Sequence, residues 1–177
     1  MSSNLNMDFQ SATKMDLLVF LKSQMQDIHI SDIMRACSFL LNESKYIQPE
    51  YADKFIKSYV KGFILRVKEL KDNNNIYTGQ LDIGELQESL NLLNYQEKLI
   101  IKMHSVESNF FKIYKIISLY TTFILEEPIH IVGTPFPGGF EVKYKKGKYY
   151  CPVKDKQKNN PNAVCGFCIA IQDEEVF

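Results

Sequence analysis

The chain has 177 residues, 45% hydrophobic, 12% aromatic and 24% charged. That is an ordinary globular composition with apolar material for one sizeable core. Its 21 basic and 21 acidic side chains give a formal net charge of zero, which excludes a global field steering it to nucleic acid or an anionic surface. The longest uncharged, largely apolar run, Ile116 to Leu125, is about half the roughly 20 residues a membrane-spanning helix needs.

Met1 to Asp16 show neither an apolar secretory core nor an Arg-rich transit pattern. The expected location is the cytoplasm, with no membrane partner. Ser11 or Thr13 can then cap a first helix carrying Met15, Leu17, Leu18, Leu21 and Met25, whose three- and four-residue steps trace one helical face. His29 falls in the link. Ser31 is placed to cap a second helix with Ile33, Met34, Cys37, Leu40 and Leu41 inward. Pro49, suited to a first helical turn, opens a third. Its stripe runs from Tyr51 through Phe55, Ile56, Tyr59, Phe63, Ile64 and Val67 to Leu70. Gly62 inside it predicts a close helix contact, since a glycine there costs about 1 kcal/mol relative to alanine.

Asp72 to Asn75 break the pattern and predict an exposed loop. Asp82 with Glu85 resembles a capping box for a short helix through Leu86, Leu90 and Leu93. Asn94 with Glu97 resembles another, opening a helix to about Leu125 that is long enough to predict a kink or break near Ser105 to Asn109.

The character changes at Pro128. EEPIHIVGTPFPGGF holds three prolines and three glycines and cannot continue a helix. GTPFPGG lacks the Lys-Ser/Thr of a phosphate loop and reads as a rigid turn that positions a hairpin. Phe140, Val142 and Tyr144 alternate with Glu141 and Lys143, Lys145 to Lys148 form a turn, and Tyr149 to Cys151 return, which predicts that β-hairpin. Asn160-Pro161 then predicts a short final helix with Val164, Cys165, Cys168 and Ile169. The paired acids Glu126–Glu127 and Glu174–Glu175 are poor candidates for acid–base work, with no evident pocket around them.

Three of the four cysteines lie between Cys151 and Cys168. Cys165 and Cys168 form a C-x-x-C pair, and the Lys/Asn loop is long enough to bring Cys151 back to them. Three adjacent thiolates repel unless a cation sits among them, and a tetrahedral zinc ion held by four protein ligands would satisfy them. An iron–sulfur cluster is the alternative cofactor. For the fourth ligand His130 comes first, in the same C-terminal segment; Cys37 is second and His104 third. A redox pair, with Cys165 attacking and Cys168 resolving, and plain buried cysteines are the rival readings. Lysines 143, 145, 146, 148, 154, 156 and 158 face only Glu141 and Asp155 over this region. Lys143, Lys145 and Lys148 with Tyr149 therefore offer a nucleic-acid grip, or simply a solvated face.

EEPIHIVGTPFPGG, YYCPVKDKQKNNP and CGFCIAIQDEE together resemble the C-terminal signature of an uncharacterised protein family of methanogenic archaea, closely from about Glu127 to Glu174 and more loosely over the helices. The resemblance implies an intracellular protein of a strict anaerobe, where iron–sulfur chemistry and reduced thiols both have a place. It points to His130, Cys151, Cys165 and Cys168 as positions worth testing.

The expected fold class is mainly α. It is a multi-helix bundle over residues 1–125, with a Cys-rich cap over 126–177 of the same globule: a small β-hairpin plus short helix, metal-stapled. A structural metal can supply on the order of 10 kcal/mol to order such a cap. The expected function is a binding or scaffold module with a structural site of three cysteines and one histidine. A redox or metal-dependent enzyme and a nucleic-acid binder are the alternatives.

Overall fold

The computed structural model describes residues 12–43, 49–103 and 108–176. It is mainly helical, with short strands confined to the C-terminal segment. Helix α1, Lys14–Gln24, starts where Thr13 and Asp16 close a capping box. The Thr13 Oγ1 accepts from the Asp16 amide at 3.1 Å, and Asp16 Oδ2 accepts from the Thr13 amide at 2.9 Å. Two orphan amides are thereby satisfied. Leu17, Leu18, Leu21 and Met25 are buried as the periodicity requires.

Helix α2, Ile30–Glu43, begins one residue before Ser31, with the His29 amide donating to Asp32 Oδ2 at 2.9 Å. Its inward face is the expected one in part, since Ile33 and Cys37 pack against the core. Ala36 and Leu40 are buried, whereas Met34 is 65% and Leu41 50% exposed. Helix α3, Pro49–Asp72, buries Ile56, Phe63, Val67 and Leu70 and leaves Ile64 exposed. At Gly62 the close neighbour is not another helix: Ile131 Cγ2, from the chain beyond the bundle, would lie 3.4 Å from an added Cβ.

Asp82 Oδ1 accepts from the Glu85 amide at 3.0 Å and starts helix α4. The helix spans Ile83–Met103 without a break at Asn94. The second capping box expected there does not form, because Asn94 and Glu97 sit mid-helix and serve a lysine instead. Helix α5, Ser108–Leu119, runs into a π-helical turn, Tyr120–Ile124. The described residues of the stretch expected as one helix from Asn94 to Leu125 fall in α4 up to Met103 and in α5 and the π-helical turn from Ser108. Of the segment where the kink was expected, Ser105 to Glu107 lie outside the described residues.

Glu126, with φ of 53°, turns the chain out of the bundle, and two ion pairs fasten the exit. Lys14 Nζ meets Glu126 Oε1 at 2.6 Å, and buried Arg66 bonds to Glu127 while holding Glu69 Oε2 at 2.6 Å. The two adjacent acids are therefore anchors to α1 and α3.

Strands β1 (Pro135–Phe136) and β2 (Phe140–Glu141) form one antiparallel hairpin. Strands β3 (Lys143–Lys145) and β4 (Lys148–Cys151) form a second, with Tyr144 opposite Tyr149. The Thr134 hydroxyl donates to the Ile131 carbonyl at 2.7 Å and accepts from Ser58 Oγ at 3.3 Å, so the Pro/Gly segment is seated on α3.

The expected final helix is absent. A four-residue helix α6, Lys154–Gln157, lies inside the Lys/Asn stretch, and Val164–Gly166 make a single 3-10 turn. Strand β5, Ile171–Gln172, pairs parallel to β4, with Cys151 opposite Gln172. Apolar side chains form two clusters. The larger lies among the helices, and a smaller one joins Phe136, Val142, Cys151 and Ala170 against Phe55 of α3.

Candidate thiol site at the seam of bundle and cap

Cys151 closes β4, Cys165 sits in the 3-10 turn and Cys168 lies just beyond it. The first two are buried and the third half-buried. All three thiols are free and share one neighbourhood. Burial pushes the Cys165 thiol up to about 11, helped by Cys151 and Cys168 beside it and opposed by Lys154. Burial likewise raises Cys151, against the Val153 amide and the Lys154 charge. Both are protonated, weakly nucleophilic thiols at neutral pH, which disfavours the reading of Cys165 as an attacking thiolate.

The cation beside these sulfurs is one that the spacing argument overlooked. Lys154 opens α6 and donates from Nζ to the carbonyl oxygens of Cys165 and Cys168, the latter at 2.6 Å. It bridges the C-x-x-C turn from behind and fixes the distance between the cysteine-bearing segments. The available signal was its place three residues after Cys151, which puts a flexible ammonium within reach of the same loop.

Two tyrosines extend the site into the bundle. Tyr114 of α5 and Tyr59 of α3 are hydrogen-bonded to each other, and Tyr114 lies near Cys165. Burial lifts Tyr59 to about 12 and Tyr114 well above the usual phenol range.

His130 is half-buried and packs against Tyr59 and two phenylalanine rings. Its centroid is 5.3 Å from that of Tyr59, 5.6 Å from Phe136 and 5.9 Å from Phe55. Burial in this box lowers its pKa to about 4, so the imidazole is neutral. Cys37 sits on α2 against the large core, apart from the other thiols. His29 is an exposed link residue, and His104 lies outside the described residues. Among the described residues no three His, Cys, Asp or Glu side chains are arranged as they would be around a metal ion.

A second buried polar group went unseen in the sequence. Lys115 of α5 and Glu97 of α4 are 0% and 1% exposed and pair at 2.8 Å, with Asn94 Oδ1 accepting from the same ammonium at 2.6 Å. The Asn-x-x-Glu spacing that resembles a capping box also puts two acceptors on one helical face, and here it clasps a lysine.

The lysine face of the hairpin meets the chain's own acidic tail. Lys143 pairs with Asp173 at 3.0 Å and Glu175 at 2.8 Å, and Lys145 with Glu175 at 3.1 Å. These two lysines hold the Glu175 carboxyl down to about 2. Tyr149 packs its ring 4.7 Å from Tyr144 and leans on the small cluster. Lys148 remains exposed. Much of the charge expected to grip a phosphate backbone is thus engaged within the molecule.

Fold and site together define a mainly helical domain with a strand-containing, three-cysteine cap. No helix of the described residues is long and apolar enough to cross a membrane. Residues 13–173 match the model of an "uncharacterized protein conserved in archaea", DUF2115. Two UPF0305 proteins of Methanothermobacter thermautotrophicus are similar. One is 41% identical over 93% of this chain and 99% of its own length, the other 34% over 88% and 94%. A UPF0305 protein of Methanocaldococcus jannaschii is 31% identical over 91% of this chain and 97% of its own. No solved structure matches. The chain belongs to this archaeal family, and the match runs through the helices as well as the C-terminal signature.

Proposed function

We propose that the cap is a metal-binding module in which Cys151, Cys165 and Cys168 take one soft divalent ion, zinc in the first instance. The observation that carries this reading is the gathering of three free thiols from two segments into one partly dry neighbourhood. Thiolate ligands suit zinc, which is stable when their charge is balanced within a compact tetrahedral shell. Binding requires the three sulfurs to draw together and Cys151 and Cys165 to lose protons that burial makes them hold. Affinity therefore rises with pH.

His130, neutral and boxed by three rings, contributes to packing in this reading. The fourth donor then comes from solvent, beside Cys168. The ion joins the end of β4 to the C-x-x-C turn with its fourth position open, as in zinc sites that take a further ligand, and the protein acts as a binding or scaffold module.

Elemental analysis with visible spectroscopy tests this on protein purified without oxygen. The expected result is one zinc per chain, lost in Cys165→Ser and Cys151→Ser and retained in His130→Gln. Cobalt substitution should give the intense bands of thiolate coordination. Broad visible absorption with stoichiometric iron would replace zinc by an iron–sulfur cluster. Metal-free protein that takes up neither ion would end the reading.

A further inference from the structure

The C-x-x-C turn also forms one wall of a cleft of about 460 Å³, within the roughly 300–1,000 Å³ typical of small-molecule sites. The opposite wall is one face of α4: Glu85, Glu88, Ser89 and Leu92 succeed each other at steps of three, one and three residues. Across from them stand Cys168 and Ile169, and Phe123 from the π-helical turn completes the lining. The walls are held close: an added Cβ at Gly166 would meet the Lys158 carbonyl oxygen at 3.3 Å and Leu92 Cδ2 at 3.8 Å.

The polar groups of this cleft are of one sign. Glu85 and Glu88 carry exposed carboxylates, and neither forms an ion pair among the described residues. Ser89 is buried and already donates to the Glu85 carbonyl at 2.7 Å. Lys154, the nearby base, is committed to the carbonyls of Cys165 and Cys168. A ligand entering here meets two carboxylates on adjacent turns, about 5–6 Å apart at their Cβ atoms, and then an apolar lining of Leu92, Phe123 and Ile169. We propose that this cleft binds an organic ammonium ion with an aliphatic body, its charged heads on Glu85 and Glu88 and its chain on the apolar wall. An anion is repelled at the rim, and a neutral analogue leaves both carboxylates without a partner. The site shares only the wall residue Cys168 with the metal reading and does not depend on it.

The test uses the full chain and hexane-1,6-diamine, with hexane-1,6-diol and adipate as neutral and anionic counterparts of the same length. Binding is measured on the protein as purified and again with a chelator present, so that amine coordination by a metal is not read as cleft binding. Calorimetry should give one saturable diamine site, with the diol at least about tenfold weaker and adipate silent. Amide chemical shifts should move at Glu85 to Leu92 and at Gly166 to Ile169. The double variant Glu85→Gln/Glu88→Gln, both positions being exposed, should keep its circular dichroism and lose most of the diamine affinity. Equal binding of diol and diamine, shifts scattered over the acidic surface, unchanged affinity in the double variant, or no saturable binding in the millimolar range would each overturn the proposal.

Discussion

His130 has surroundings that its place in the sequence does not announce. Beside a cysteine-rich tail it is a candidate ligand, and here its half-buried ring packs among Phe55, Tyr59 and Phe136. Its pKa falls from 6.5 to about 4. Between those values the unfolded chain binds a proton that the folded chain refuses, so unfolding free energy falls as pH drops from about 6.5 toward 4. The full shift corresponds to about 3 kcal/mol, less for the part of the residue that stays in water. Denaturant titrations from pH 7 to 4 should show this slope in the wild type and its loss in His130→Gln, whatever the variant's absolute stability. Equal slopes would remove the enclosed-histidine account.

Lys115 makes the same point with the opposite charge. Removing its ammonium leaves Glu97 buried without that partner, so Lys115→Met should cost about 3–5 kcal/mol. The double change Lys115→Met/Glu97→Leu should recover much of it, because two apolar side chains carry no desolvation penalty. Thermal or denaturant unfolding of the three variants checks both statements; a double variant no better than the single one would contradict the second. Neither residue is conspicuous in the sequence, since a lysine and a glutamate 18 positions apart are common on any helical protein.

Among the elements, the apolar face of α1 was legible because its period is local, while its start was legible only to Ser11 or Thr13; the box that Asp16 closes on Thr13 came with the structure. The orientation of α2 was not. Met34 and Leu41 are as apolar as their neighbours, and only packing against α3 and α5 decides that Ala36 turns inward beside the expected Leu40 while those two face out. The C-x-x-C segment failed for a related reason. A proline after an asparagine is a sound helix start, yet Ile171 and Gln172 find backbone partners in β4, some twenty residues earlier. Parallel pairing of that kind leaves no period in the sequence.

Gly62 carries a prediction at this scale. The room around it admits one methyl group against Ile131 at 3.4 Å. Gly62→Ala should therefore be neutral or stabilise α3 by up to about 1 kcal/mol. Gly62→Leu should push Ile131 aside and loosen the segment carrying Thr134. Proteolysis around residues 131–139 reports the second effect; a Leu variant cleaved no faster than wild type would show that the contact is not tight.

For the molecule as a whole, the cap has more support than its polar sequence suggested. Lys14 and Arg66 hold its entrance, Phe55 offers it an apolar seat, and Lys143 and Lys145 bind its last acids. A metal would add to this framework rather than create it. Cys165→Ser should thus speed proteolysis after Pro128 while the helical bundle keeps its unfolding transition. Equal acceleration in both regions would mean that the thiol site holds the bundle too.

By itself the amino-acid sequence determined the helical class, the apolar face of α1, the cap of α4, the change of character at Pro128, the second hairpin and the nearness of three thiols. Each of these rests on residues a few positions apart or joined by a short loop. Only the tertiary structure decided which apolar residues of α2 turn outward, that His130 packs among rings, that Lys154 binds the carbonyls of the C-x-x-C turn, that Asn94 and Glu97 serve Lys115, and that a cleft lies between α4 and the C-x-x-C turn. Those features depend on which side chains meet across the fold, and burial free energy selects among many pairings that the chain's local chemistry leaves nearly equal.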